Sequence, residues 1–244
     1  MKFSYKEKAA RKAAFYALSP EKKLEHIVTY YKWPILLCIL ALVIVGSSLH
    51  RQLTKKEPVL YLALINTSIG KDLEEHLTSG YLADAGLDSR KKEIYLYNGL
   101  YFSDNADTLN HQYAYASKIK LTGAISTKKL DLVLMNREGY DLLSRQGYLT
   151  DLSAPAGGDG QVWPQQIAAL LAENEVVLSD NSLEVLLGEA DEEERVTRSV
   201  PNALSVSSLP LFRDAGFDGE LYLGVIANST RTEAAARFLE YLLP

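Results

Sequence analysis

Residues 59–66 read "VLYLALIN", a nearly continuous apolar run of eight residues. A strand with one face in water would alternate apolar and polar side chains, so this run is typical of a strand that is covered on both faces. Strands of that kind occur in α/β proteins, where helices pack on both sides of a largely parallel sheet. The run therefore predicts an α/β fold for the part of the chain that follows it.

The segments downstream alternate between strand and helix patterns, as an α/β fold requires. In chain order, the predicted elements are a helix from about Lys71 to Gly86, a strand at "KEIYLYNG", a helix that starts at Asp107 or Thr108, a strand at "KLDLVLMN", and a helix that ends at Gly147. Beyond residue 151 the pattern loosens. Here "VWPQQIAALLAEN" predicts a helix, the acidic run 189–194 a solvated turn, "ELYLGVIAN" a strand, and "RTEAAARFLEYLL" a helix buried through Ala235, Phe238, Leu239 and Leu242.

An uncharged stretch of seventeen residues, Trp33 to Leu49, precedes this domain. As a helix it would be roughly 25 Å long, and Tyr30, Tyr31 and Lys32 at its start suit a membrane interface. The stretch predicts a single transmembrane helix over residues 33–50. Two alternatives stay open: a buried core helix, and a signal peptide that is cleaved near the small residues Gly46 to Ser48.

Charge is distributed unevenly along the chain, whose net charge is -5. Residues 1–32 carry eight Lys or Arg against three acids, which gives +5 and leaves -10 for the remainder. The positive-inside rule then predicts a single-pass protein of the cell membrane with a cytoplasmic N-terminus and an extracytoplasmic C-terminal domain. The predicted organisation is a basic amphipathic cytoplasmic segment (1–32), the membrane helix (33–50), a linker (51–57) and the α/β domain (58–244). The charge of -10 argues against nucleic acid as a partner.

The residues that usually carry catalysis or metal binding form no known pattern in this sequence. The single cysteine, Cys38, excludes an intramolecular disulfide, and the four histidines (His26, His50, His76 and His111) lack ligand spacing. There is no nucleophile motif or phosphate-binding glycine loop. We therefore expect a protein that is not an enzyme and that needs no cofactor or metal.

Polar residues follow three of the predicted strands, and parallel α/β sheets bind ligands beyond the carboxyl ends of their strands. The predicted ligand-binding residues are Asn66, Thr67, Ser68, Asn98, Tyr101, Asn136 and Arg137, joined by Tyr222 at the start of the last strand. The alternative is that Asn, Ser and Gly stand at strand ends only because they form turns and caps. Likewise, the five tyrosines between Tyr95 and Tyr115 would form either a binding platform for a sugar or peptide or half-buried packing residues.

Two segments, "KLDLVLMNREGYDLLSRQGYLTDLS" and "ELYLGVIANSTRTEAAARFLEYL", resemble extracellular solute-binding proteins of ABC importers, which have the type II periplasmic binding fold. The matching features are a short strand opening at Asp131, a "G-x-L-x-D-L" turn at 147–152, and a returning strand and helix at 224–242. The resemblance implies one lobe with a mixed, mostly parallel sheet, helices on both faces and an antiparallel returning strand. The segment from Asp151 to Asp218 is only 68 residues long, so region 151–218 is expected to be a reduced second lobe or a cap.

The resemblance and the absence of catalytic motifs together predict a non-catalytic membrane protein that displays a shortened solute-binding-like domain. Its expected role is ligand binding, or an accessory part of a transport system, with a sugar or peptide as ligand and a transporter or other membrane protein as partner. The alternative is a structural protein–protein interaction module that docks another membrane protein and has no small-molecule ligand.

Overall fold

A computed structural model of the chain describes residues 19–103, 111–155, 163–182, 194–217 and 219–243. The predicted helix start at Asp107 or Thr108 and most of the acidic run 189–194 lie outside these residues. The chain divides into two units, Met1–Lys55 and Lys56–Pro244.

The first unit contains one long helix, α1, which spans Pro20–Thr54 and has Pro34 in its interior. Pro20 occupies the first helical turn, where its missing N–H costs no hydrogen bond. Side chains are described for the sixteen residues from Lys32 to Ser47, and the large apolar ones among them are exposed. No helix within the described residues is long and apolar enough to cross a membrane, and the prediction of a transmembrane helix over residues 33–50 is corrected accordingly.

The second unit is built on a six-stranded sheet in the order β2-β1-β3-β6-β5-β4. Its strands are β1 (Glu57–Ile65), β2 (Lys92–Leu100), β3 (Leu132–Asn136), β4 (Leu171–Asp180), β5 (Arg195–Ser205) and β6 (Leu221–Val225). Strand β1 pairs in parallel with β2 and β3, whereas the β3–β6, β6–β5 and β5–β4 pairs are antiparallel. The structure thus has the predicted α/β class with a mixed sheet. The prediction that this sheet is mostly parallel is wrong.

Helices cover both faces of this sheet. Helix α2 is a composite of Lys71–Glu75, a π-helical turn His76–Gly80, and Tyr81–Asp84. The others are α3 (His111–Ser126), α4 (Arg137–Arg145), α5 (Pro210–Arg213) and α6 (Thr232–Leu242), together with a 3-10 helix Gln165–Leu170.

Two hydrophobic cores flank the sheet because alternate side chains of a strand point to opposite faces. Leu62 and Leu64 of β1 lie in the core formed with α2, α5 and α6. Ala63 and Ile65 lie in the other core, which includes side chains of α3 and α4. The unbroken apolar run of β1 is therefore explained by burial on both sides, as the sequence predicted.

The apolar stripes predicted for the first and last helices of this unit are buried. They comprise Leu73, Leu77, Tyr81 and Leu82 on α2, and Ala235, Phe238, Leu239 and Leu242 on α6. Gly86 and Gly147 follow the ends of α2 and α4 with φ of 66° each, a left-handed conformation that glycine adopts without strain.

Region 151–218 departs most from the expectation. The helix predicted for "VWPQQIAALLAEN" is wrong, since only Gln165–Leu170 is helical, in the 3-10 form, and the chain then enters β4. The backbone N–H and C=O groups of β4 make their hydrogen bonds with β5 and not within a helix. In its described part, the region predicted as a reduced lobe or cap adds β4 and β5 to the same sheet.

Candidate functional site

The carboxyl ends of β1 and β3 and the start of β6 meet at one edge of the sheet, which we call the carboxyl edge. Ile65 is level with Met135, and Asn136 pairs with Leu221. Ligands of α/β sheets gather beyond the carboxyl ends of the strands. Of the predicted site residues, Asn66, Asn136, Arg137 and Tyr222 lie here.

Asn66 joins the end of β1 to the segment that follows β2. It has a left-handed backbone (φ 51°), which asparagine tolerates better than most residues. Its side-chain amide donates to the Phe102 carbonyl (2.7 Å) and to Glu138 Oε2 (3.3 Å), and its Oδ1 accepts the Phe102 N–H (2.7 Å). Asn66 therefore holds the edge together and positions the Glu138 carboxylate.

Asn136 ends β3 and is the N-cap of α4. Its Oδ1 accepts the backbone N–H of Gly139 at 2.9 Å, satisfying one of the free donors of the first helical turn. This hydrogen bond fixes the first turn of α4 against the strand, and thereby the position of Arg137.

Arg137 is at the centre of a polar cluster on the carboxyl edge, and its side chain is 54% exposed. Its Nε contacts Asp141 Oδ1 at 3.0 Å, and its Nη1 donates to the Tyr222 hydroxyl at 3.2 Å. The Tyr222 hydroxyl in turn donates to Glu220 Oε2 at 2.7 Å. We call Arg137, Tyr140, Asp141, Glu220 and Tyr222 the Arg137 cluster.

Two tyrosine rings support the guanidinium. The rings of Tyr140 and Tyr222 lie 4.5 Å apart, and the guanidinium carbon of Arg137 is 5.8 Å from each ring centre. The Tyr140 hydroxyl donates to the Ala172 carbonyl (2.7 Å), and Asn174 donates to Asp141 (2.8 Å). The cluster is thus held by α4, β6 and β4, so its polar groups are preorganised.

The pKa values of Tyr140, Tyr222 and Arg137 are all raised. Burial raises the pKa of Tyr140 and, more than the hydrogen bond to Glu220 does, that of Tyr222. The hydrogen bond to Tyr222 raises the pKa of Arg137. All three groups therefore keep their protons at neutral pH, and none of them is suited to accept a proton there.

The remaining predicted residues lie apart from this cluster. Thr67 and Ser68 follow Asn66 directly in the chain, whereas Asn98 is exposed on β2. The Tyr101 ring lies 6.4 Å from that of Tyr113, and its backbone N–H donates to Ser117. Tyr101 therefore packs on α3.

The sequence reasoning missed Tyr140, Asp141 and Glu138. The spacing of Arg137 and Asp141 by four residues on one helix is a signal that could have revealed this ion pair. Asn174 carried no such signal, because its segment was predicted to be a helix.

A second surface collects aromatic side chains on β2 and α3. Tyr95 (44% exposed), Tyr113 (52%), Tyr115 (64%) and Ile119 (57%) form what we call the tyrosine surface. By contrast, Tyr97 is half-buried and packs against both Tyr61 and Tyr95. Tyr97 therefore fits the packing alternative, whereas the binding alternative stays a prediction for the exposed tyrosines.

Two cavities lie away from the Arg137 cluster. One of about 660 Å³ is lined by the 3-10 helix and α6, including Trp163 and Arg237, and one of about 520 Å³ by α4, β4 and β5, including Arg145 and Leu178. Within the described residues, no group of three or more His, Cys, Asp or Glu side chains is arranged to hold a metal ion.

No protein-family model, curated protein or solved structure matches this chain. The resemblance to solute-binding proteins therefore stays a prediction from the sequence.

Proposed function

We propose that residues 58–244 form a non-catalytic binding domain for a small, hydroxyl-rich ligand such as a sugar, with the Arg137 cluster as its site. The observation that carries this proposal is the half-exposed Arg137 guanidinium, held over two tyrosine rings at the carboxyl edge. The sequence resemblance supports a role as an accessory component of a transport system.

The charges of the cluster favour a ligand with hydroxyl groups over a simple anion. One guanidinium faces the carboxylates of Asp141 and Glu220, and Glu138 lies beside them through its contact with Asn66. A purely anionic ligand would meet an excess of negative charge. A sugar hydroxyl can donate to a carboxylate while accepting from a guanidinium, so it matches both kinds of group.

Preorganisation supports the same conclusion. Asp141 is fixed by Asn174, and Tyr222 by both Arg137 and Glu220, so little side-chain freedom remains to be lost on binding. The two tyrosine rings beneath the guanidinium are buried, so they hold Arg137 in place and leave its guanidinium and the neighbouring carboxylates to meet the ligand.

The test is a thermal-shift screen of the full chain against mono- and oligosaccharides, amino acids and short peptides, followed by calorimetric titration of each hit. A ligand that binds the folded state raises its stability. We expect a saccharide to bind the wild type and Arg137→Ala to weaken its affinity at least tenfold. Arg237→Ala is the matched control, because Arg237 also forms an exposed helical ion pair four residues from its acid, Glu233. Equal affinity of both variants for the hit would contradict the proposal.

A second candidate, a protein–protein interaction module, is favoured by the tyrosine surface. Exposed Tyr and Ile side chains clustered on adjacent elements are typical of interaction sites, where aromatic residues dominate binding energy. If this is the function, Tyr115→Ala together with Ile119→Ala will abolish co-purification of a membrane-protein partner, while Arg137→Ala leaves it intact. A flat response in the ligand screen together with that loss would favour the interaction module.

A further inference from the structure

Among the described residues, Glu220 is the acidic member of the Arg137 cluster that forms no ion pair. The residue is exposed, its Oε2 accepts the Tyr222 hydroxyl at 2.7 Å, and its Oε1 makes no hydrogen bond within the part of the chain that the structure describes. The Tyr222 hydroxyl also accepts from Arg137 Nη1 at 3.2 Å, so it stands between the guanidinium and the carboxylate. The charge of Glu220 is therefore held in position by Tyr222 without being neutralised.

Carboxylates outnumber cations in and around the cluster. Arg137 faces Asp141 and Glu220, which gives a net charge of -1, and Glu138, the next residue of α4, lowers it to -2. The surrounding unit has the same sign, since residues 56–244 contain sixteen Lys or Arg against 28 Asp or Glu, a net charge of -12. A surface with an excess of one sign of charge concentrates ligands of the opposite sign. A ligand that carries a positive charge is therefore favoured by the cluster and by the field of the whole unit.

This excess of negative charge discriminates between saccharides. The hydroxyl groups of a neutral sugar can accept from Arg137 and donate to Asp141, but they leave the charge of Glu220 uncompensated. An ammonium group in place of one hydroxyl would neutralise that charge, and a hydrogen bond between two charged groups is roughly twice as strong as one between neutral groups. A sugar acid would instead bring a second carboxylate toward Glu220.

We propose that the ligand of the Arg137 cluster is an amino sugar, whose ammonium group binds the Glu220 carboxylate while its hydroxyl groups contact Arg137 and Asp141. This inference rests on the proposed function, because it names the class of saccharide that the same site takes. Glu220 is then the residue that determines specificity. Arg137 and Asp141 bind the hydroxyl groups that all sugars share.

The test is calorimetric titration of the full chain with D-glucosamine, D-glucose and N-acetyl-D-glucosamine. The three sugars have the same ring, and acetylation removes the positive charge while keeping the nitrogen. The titrations are done at about pH 6, where the carboxylates are ionised and the amine is protonated, and in ~0.05 M salt, where screening is weak.

An exposed ion pair contributes up to about fivefold in affinity. We expect glucosamine to bind about fivefold more tightly than the two uncharged sugars, and this preference to fall below about twofold in ~1 M salt, where the Debye length is only ~3 Å.

Glu220→Gln separates the charge of this residue from its hydrogen bond. A glutamine oxygen still accepts the Tyr222 hydroxyl, so this variant should melt like the wild type, keep its affinity for glucose and lose the preference for glucosamine. Glu233→Gln is the matched control, because it removes another exposed carboxylate that lies on α6; it should keep the full preference.

The proposal would be overturned if glucose or N-acetylglucosamine bound as tightly as glucosamine, or if Glu220→Gln kept the preference of the wild type. Binding of another neutral saccharide from the screen, with none of these three sugars bound, would overturn the amino sugar alone and leave the proposed function standing. If no saccharide bound at all, or if Arg137→Ala bound glucosamine as tightly as the wild type does, both proposals would fail.

Discussion

Asp131 immediately precedes β3 and is fully buried, and replacing it by asparagine tests how the sheet is held together. Its Oδ2 accepts the Tyr61 N–H (2.9 Å), its Oδ1 accepts the Ser229 hydroxyl (2.6 Å), and both oxygens contact Arg231 Nη1 (3.2 and 3.4 Å). Every partner is a donor. An asparagine offers only one acceptor oxygen, so its amide group would face a donor and Arg231 would lose its counter-charge.

Breaking a buried ion pair by removing one partner typically costs 3–5 kcal/mol. The Arg231 side chain is 28% exposed, so water can solvate the remaining charge in part, and we expect the lower end of that range, about 3 kcal/mol.

The assay is urea unfolding of the full chain, followed by circular dichroism. Asp141→Asn is the control, because Asp141 also pairs with an arginine but its side chain is 30% exposed; its loss should stay within about 1 kcal/mol. A cost of less than 1 kcal/mol for Asp131→Asn would refute the view that this carboxylate is matched only to donors.

Three further predictions concern the carboxyl edge and its support. Gly139→Ala will destabilise the protein by about 1–3 kcal/mol in urea unfolding, because the new Cβ would lie 2.9 Å from the Ile65 side chain. The control Gly123→Ala will be neutral or stabilising, because the space around its new Cβ is open. Asn136→Ala will lower the free energy of unfolding by about 1 kcal/mol through loss of the α4 cap, and Asn136→Ser should recover most of it. Burial raises the pKa of Tyr140 above its value in the unfolded chain. The contribution of this group to stability is therefore complete below about pH 10 and is lost as the pH rises toward the folded-state pKa. Tyr140→Phe will reduce the slope of the free energy of unfolding against pH above about pH 10, and an unchanged slope would contradict the raised pKa of Tyr140.

The elements that the sequence predicts well are those with a strong local pattern. The continuous apolar run at Val59 indicates a strand that is buried on both faces, the apolar stripe of α6 recurs at the helical period, and both elements are present. The helix predicted around Gln165 is wrong because its apolar residues fit a helix locally, whereas residues 171–174 pair with residues 200–204 of β5, 26 to 33 positions further along the chain. A pairing over that distance leaves no local signal.

The candidate site was predictable only in part for the same reason. The strand ends identified Asn66, Asn136 and Arg137, since chain order and sheet parity place them at one edge. The hydroxyl of Tyr222 and the carboxylate of Asp141 complete the cluster through contacts with Arg137. The sequence already placed Tyr222 at this edge, but its hydrogen bond to Arg137 spans 85 residues and no local pattern predicts it.

The tyrosines illustrate a different limit. Tyr95 and Tyr97 share one face of β2 at a period of two, and the sequence left open whether they pack or bind. In the structure Tyr97 is half-buried beside Tyr61, while Tyr95 is 44% exposed. Lys120 of α3 covers Tyr97, with its ammonium 5.5 Å from the centre of that ring, and periodicity does not report such a contact.

Hydrogen–deuterium exchange of the full chain, with and without the first saccharide found in the screen, tests the carboxyl-edge site most directly. Binding at the Arg137 cluster predicts slower exchange in residues 136–145 and 220–225, and no such change in the Arg137→Ala variant. Slower exchange confined to β2 and α3, or none at all with every saccharide tested, would contradict the account.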